Sequence, residues 1–192
     1  MFQIIINHSG LSLGEIEAIN NLFSDYSVYE NTTDNDFDYA SILEFEFIKH
    51  KKNSFFEFVS IEKWTLLIEI IKNIKKRRGS KGLKFKIKIT NVDKFDDYED
   101  EEEGPIIFNK TVFLLNHKKD LDFIKGLERI EIMIENIVEM YTYENRKVKE
   151  EQGANNKPTK DKVRNKVVNK DVDTMILIFD EINRKWTRSI RR

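Results

Sequence analysis

The chain contains no cysteine in 192 residues. That excludes a disulfide framework, a zinc ribbon, an iron–sulfur site and a thiol nucleophile. Proline occurs 2 times and glycine 7 times, which excludes collagen-like and Gly/Pro low-complexity classes. So few glycines also leave little material for a backbone phosphate cradle, and no Walker A loop, G-x-G-x-x-G or G-x-S-x-G motif is present. Long apolar runs are missing too. The start, MFQIIINHSG, lacks a basic leader and the apolar stretch of about 7–15 residues of a signal peptide. No window approaches the ~18 apolar residues of a spanning helix, since the longest candidate, Trp64 to Ile71, contains Glu69. The expectation is a cytoplasmic protein with no membrane association. Charge of one sign is absent overall: 33 Lys+Arg face 34 Asp+Glu, a formal net of -1.

What remains is a globular composition, 40% hydrophobic and 35% charged, in a chain long enough to bury a core. Ser12 and Glu15 form a capping-box pattern ahead of Ile16, Ile19 and Phe23, which predicts a helix over roughly 13–24 after a short strand at 2–6. Residues 27–39 read as a polar, acidic loop. Leu43, Phe45 and Phe47 alternate with Glu44 and Glu46, the period of a half-buried strand. A second run, Phe55 to Val59, suggests the return strand of a hairpin. Ser60 then caps a helix over about 61–78, with Ile61, Trp64, Leu67, Ile68, Ile71 and Ile74 on one face. Leu83, Phe85, Ile87 and Ile89 alternate with Lys84, Lys86 and Lys88, the clearest strand of all. Another strand near 106–115 and a helix near 120–143 follow.

This order, β-α-β-β-α-β-β-α, predicts an α+β fold. Its sheet is mixed, mostly antiparallel, of about five strands with helices on one face. The chain divides into a domain at 1–143, a polar flexible linker at 144–171, and a C-terminal strand and basic tail at 172–192 that packs on its own domain or on a partner. The near-zero net charge is a cancellation. Residues 143–192 hold 14 Lys+Arg against 8 Asp+Glu, and the rest holds 19 against 26.

Sites are weighed against their plainer readings. His8, His50 and His117 are scattered, without the spacing that puts two ligands on one helix face. Asp34, Asp36 and Asp38 match the first positions of a calcium loop, but Tyr39 stands where glycine is needed and Phe45 where glutamate is needed. Asp96 to Glu103 is a dense acidic loop that reads as hydrated. Asp180 reads as the cap of a following helix. No catalytic residue, cofactor or metal site is assigned, and the chain is expected not to be an enzyme.

Two surfaces are expected to bind. The first is a protein interface, with a homodimer as one form of it. It uses the heptad stripe Phe123, Leu127, Ile130, Ile134, Ile137 and Tyr141 together with Ile176, Ile178 and Trp186 from the C-terminal strand and tail. The alternative is a nucleic-acid surface built from Lys75, Lys76, Arg77, Arg78, Lys84, Lys86, Lys88, Arg184, Lys185, Arg188, Arg191 and Arg192. Against that alternative, Glu44 and Glu46 would pair with the lysine strand if the two strands are neighbours.

Overall fold

A computed structural model of the chain describes residues 2–51, 53–92, 107–136 and 173–189. Its elements are β1 (Gln3–Ser9), α1 (Leu13–Leu22), β2 (Ser27–Thr32), β3 (Ser41–His50), α2 (Ile61–Arg77), β4 (Leu83–Val92), β5 (Ile107–Leu115), α3 (Asp120–Glu128), β6 (Asp173–Asp180) and β7 (Lys185–Arg188). A further helical segment follows α3 at 130–136. The strands form one seven-stranded sheet in the order β2-β1-β3-β4-β5-β6-β7. The α+β class and the mixed sheet hold.

The pairing within the sheet differs from expectation. β3 runs antiparallel to β1 and parallel to β4, so residues 41–49 have no hairpin partner at 55–59. Phe55–Glu57 is a 3₁₀ turn instead. Its aromatic residues are apolar because the turn folds over the core: Phe55 is buried and stands edge-on to Phe47 and Trp64. The segment read as loop contains β2, which pairs parallel with β1. It carries no alternation because it is a sheet edge, exposed at five of six positions. Three of the six strand pairs are therefore parallel. The architecture is three successive strand–helix–strand crossovers, in place of the hairpin expected across 41–59.

Period-two patterning fixes which face meets the helices. Ile6, Phe45, Ile87, Phe113 and Leu177 lie in one row across five strands, and all are buried. Removing each such side chain from water contributes about 1.5–3 kcal/mol. Against this face α2 lays Trp64, Leu67, Ile68, Ile71 and Ile74, and α3 lays Phe123 and Leu127. The capping box of α1 is formed as the sequence predicts, with Glu15 returning to the Ser12 backbone N–H at 2.9 Å.

At the C-terminal end, β6 joins the chain's own sheet parallel to β5. Asp180 caps a turn and not a helix: its carboxylate accepts the Ile182 and Asn183 backbone N–H groups at 2.9 and 3.1 Å. Arg184 takes the left-handed conformation (φ 53) that closes the β6–β7 hairpin. No helix among the described residues is long and apolar enough to cross a membrane.

Candidate interaction surface

Among the described residues, the helices take one face of the sheet. The opposite face is read off the strand register. One row runs Ile5, Glu46, Lys88, Val112, Ile176. The next runs Asn7, Glu44, Lys86, Leu114, Ile178, Thr187. Both rows are half-buried.

The centre of this face is an ion-pair ladder between parallel neighbours β3 and β4. Lys86 and Lys88 each contact the Glu44 carboxylate. Lys88 also reaches Glu46 at 3.6 Å, and the Thr90 hydroxyl donates to Glu46 at 2.8 Å. Lys84 extends the ladder to Asp36 at 2.8 Å. Burial opposes ionisation of Glu44, but the hydrogen bonds and charges of Lys86 and Lys88 outweigh it and hold its carboxyl below the ordinary range. The lysine strand is thus neutralised by the strand beside it, as cross-strand pairing requires.

Beside the ladder, β5 and β6 present an apolar block. Val112 pairs with Ile176 and Leu114 with Ile178. These four aliphatic side chains are half-buried on the side away from the helices. Hydrophobic side chains on both faces of a strand mark one that is covered on both sides or awaits cover. A contiguous apolar patch flanked by polar groups is the ordinary signature of a contact surface.

The predicted interface residues separate cleanly. Ile176 and Ile178 belong to this face, opposite the described helices. Phe123, Leu127, Ile130 and Ile134 lie in the core, so the heptad stripe packs within the chain and presents no seam there. Trp186 is also buried on the helix side, where its indole N–H donates to the Gly126 carbonyl at 3.2 Å. Ile137 and Tyr141 lie outside the described residues, as do the acidic loop 96–103, the linker 144–171, Arg191 and Arg192.

The predicted cations also separate. Lys75 has 0% exposure and is paired with Asp120 at 2.6 Å. Arg77 and Arg78 both reach Glu15. Lys84, Lys86 and Lys88 serve the ladder. Lys76 is exposed on α2, while Arg184, Lys185 and Arg188 are exposed along the far hairpin. These residues do not converge on one groove.

The histidines remain apart. His8 contacts Glu30 at 3.0 Å, His50 ends β3, and His117 stands edge-on to Phe179. Among the described residues, no three His, Asp or Glu side chains are grouped to hold a metal ion. The crevice beside His8, lined by Ile6, Leu11, Ile16, Ile19, Asn20 and Glu30, has no room for a water molecule.

Sequence reasoning missed Val112 and Leu114 as surface residues. They fall in a continuous apolar run, Val112 to Leu115, whose two faces cannot be told apart by periodicity. In comparisons with known proteins, the chain matches no family model, no curated protein and no solved structure.

Proposed function

We propose that the chain is a cytoplasmic, non-enzymatic interaction protein that binds a protein partner through the open face of its sheet. One observation carries this reading: Val112, Leu114, Ile176 and Ile178 form a paired apolar block on the face away from the described helices. The ladder beside it supports the same reading. Its charges are already satisfied within the chain, so a partner covering them strands no lone buried charge, which is the costly case. The nucleic-acid alternative has weaker support, because Lys75, Arg77, Arg78, Lys84, Lys86 and Lys88 are each bound to a carboxylate.

The test is affinity capture with the full chain and with the Ile176→Glu/Ile178→Glu double variant, followed by reconstitution with the purified captured protein. The expected result is a complex formed by the parent and lost by the variant, with the variant still folded by circular dichroism. Equal binding by both chains, or no complex with either, overturns the reading.

A further inference from the structure

The loop between β2 and β3 holds a phenylalanine in an unusual setting. Phe37 is 95% exposed, yet the residues around it are pinned to the body. Before it, the Ser9 hydroxyl donates to Asn35, and Asp36 takes Lys84 at 2.8 Å. Across it, Asp36 closes a turn: its carboxylate accepts the Asp38 backbone N–H and its carbonyl accepts that of Tyr39, both at 3.0 Å. After it, the Tyr39 hydroxyl donates to the Asn116 carbonyl at 3.0 Å, and the Ala40 N–H donates to the Gly82 carbonyl at 3.1 Å. Lys84 and Lys118 both lie over the Tyr39 ring, 5.7 and 5.6 Å from its centre. The hydrogen bond from Lys84 and that from the Asp38 backbone hold the Asp36 carboxyl below its ordinary range, so the anchor is charged at neutral pH.

A fully exposed aromatic ring contributes nothing to the core. It stands at the tip of a loop built from at least five tertiary or turn contacts. An aromatic side chain presented on a rigid support is the geometry of an interface anchor, because little ordering remains to be done on binding. Its immediate surroundings set the partner's charge. Lys84 is already paired with Asp36 and Lys118 sits over the Tyr39 ring, while Asp34 and Asp38 are exposed on either side of Phe37, so carboxylates outnumber amines around the tip.

We infer that Phe37 is a docking knob for a basic protein: it enters an apolar socket whose rim carries Lys or Arg side chains that meet Asp34 and Asp38. Complementary rim charges raise the association rate and exclude acidic proteins. The inference rests on the reading of the chain as an interaction protein, but not on the apolar block of β5 and β6.

The experiment places the photo-cross-linking residue p-benzoylphenylalanine at position 37 of the full chain, in the cells that make it, with the same residue at exposed Leu13 as control. The expected result is an adduct at position 37 only, with a protein of net positive charge. The purified partner is then titrated against three chains. Phe37→Ala is expected to weaken binding at least about 30-fold while leaving the melting temperature unchanged. Asp34→Asn/Asp38→Asn is expected to weaken binding at low salt and flatten its salt dependence. Four results overturn the inference: no adduct, an adduct with a second copy of the chain, an adduct with an acidic protein, or a Phe37→Ala affinity within threefold of the parent. If Ile176→Glu/Ile178→Glu abolishes the complex and Phe37→Ala does not, the open-face reading stands and the knob fails. The reverse pattern sinks the open face and keeps the knob.

Discussion

Arg78, at the end of α2, reaches across the top of the sheet to Glu15 in the first turn of α1. The Glu15 side chain is 3% exposed, and the same oxygen that takes Arg78 also accepts the Ser12 backbone N–H. Arg78 further donates to the Ser41 hydroxyl and to the Gly10 carbonyl. One guanidinium therefore ties the start of α1, the end of α2, the turn after β1 and the start of β3. Arg78→Met leaves the buried carboxylate with the Ser12 N–H at 2.9 Å and the longer Arg77 contact at 3.4 Å, and the loss of its charged hydrogen bonds should cost about 1.5–3 kcal/mol, or roughly 3–12 °C in melting temperature for a chain of this size. Glu15→Gln keeps the hydrogen-bonding shape and should cost less. Chemical denaturation of the two variants distinguishes them.

The same pair sets an acid limit on stability. Burial opposes ionisation of Glu15, yet the Ser12 backbone bond and Arg78 outweigh it and hold its carboxyl below the ordinary glutamate range. A depressed carboxyl contributes stability that is fully present above its unfolded pKa and is lost as pH falls through its folded one. The Glu15→Gln variant should therefore lose less stability than the parent between pH 5 and the acid transition. Melting curves across that range check it, and parallel losses would contradict it.

At the alkaline side the governing group is Lys49. It is inward-facing and 5% exposed, and it donates to the Asn53 and His50 carbonyls. Burial pushes its amine down to about 8 from 10.5, with the Glu57 charge opposing. Between those values the unfolded chain binds the extra proton, so this group makes stability rise with pH. The stability of the parent relative to Lys49→Met should increase from pH 8 to 10.5. A flat difference would mean that the amine titrates normally.

Lys75 and Asp120 predict an asymmetry. The amine has 0% side-chain exposure and the carboxylate 53%. Asp120→Ala leaves a buried ammonium with no counter-charge, held by the Lys118 carbonyl at 2.8 Å and the Phe123 ring 5.6 Å away, and should cost about 3–5 kcal/mol. Lys75→Met replaces the stem with an apolar one of similar length and leaves a carboxylate that water can reach. It should cost less than Asp120→Ala in a urea titration.

Gly126 marks the closest approach of α3 to the sheet. A β-carbon there would sit 2.5 Å from Leu115 Cδ2 and 3.0 Å from the Phe179 ring. Although alanine favours helices, Gly126→Ala should destabilise by about 1–3 kcal/mol through overpacking. It should also shift Trp186 fluorescence, since the indole is bonded to the Gly126 carbonyl. A stabilised variant would contradict this packing.

Elements with a one-sided environment were legible in the sequence. β3 and β4 alternate because one face meets α2 and the other meets charge, and α2 declares itself through Ser60 and a buried face at helical spacing. Edge strands were not legible: β2 (SVYENT) and β7 (KWTR) bury too little to be patterned. Phe55 to Val59 looked like a strand because a turn that covers the core is as apolar as a strand within it. Pairing partners are tertiary facts that local period does not encode. The site divides in the same way. Ile176 and Ile178 stood out as a run apolar on both faces, whereas Phe37 was invisible, because exposure cannot be read from a phenylalanine in a polar loop.

The central claim, that the open sheet face is the binding face, is tested most directly by lysine-reactive footprinting of the chain with and without its captured partner. The account predicts that Lys86, Lys88 and Lys110, beside the apolar block, lose reactivity in the complex. Lys63, Lys72 and Lys76 on α2 should keep theirs. Protection of the α2 lysines with no change at Lys88 and Lys110 would contradict it.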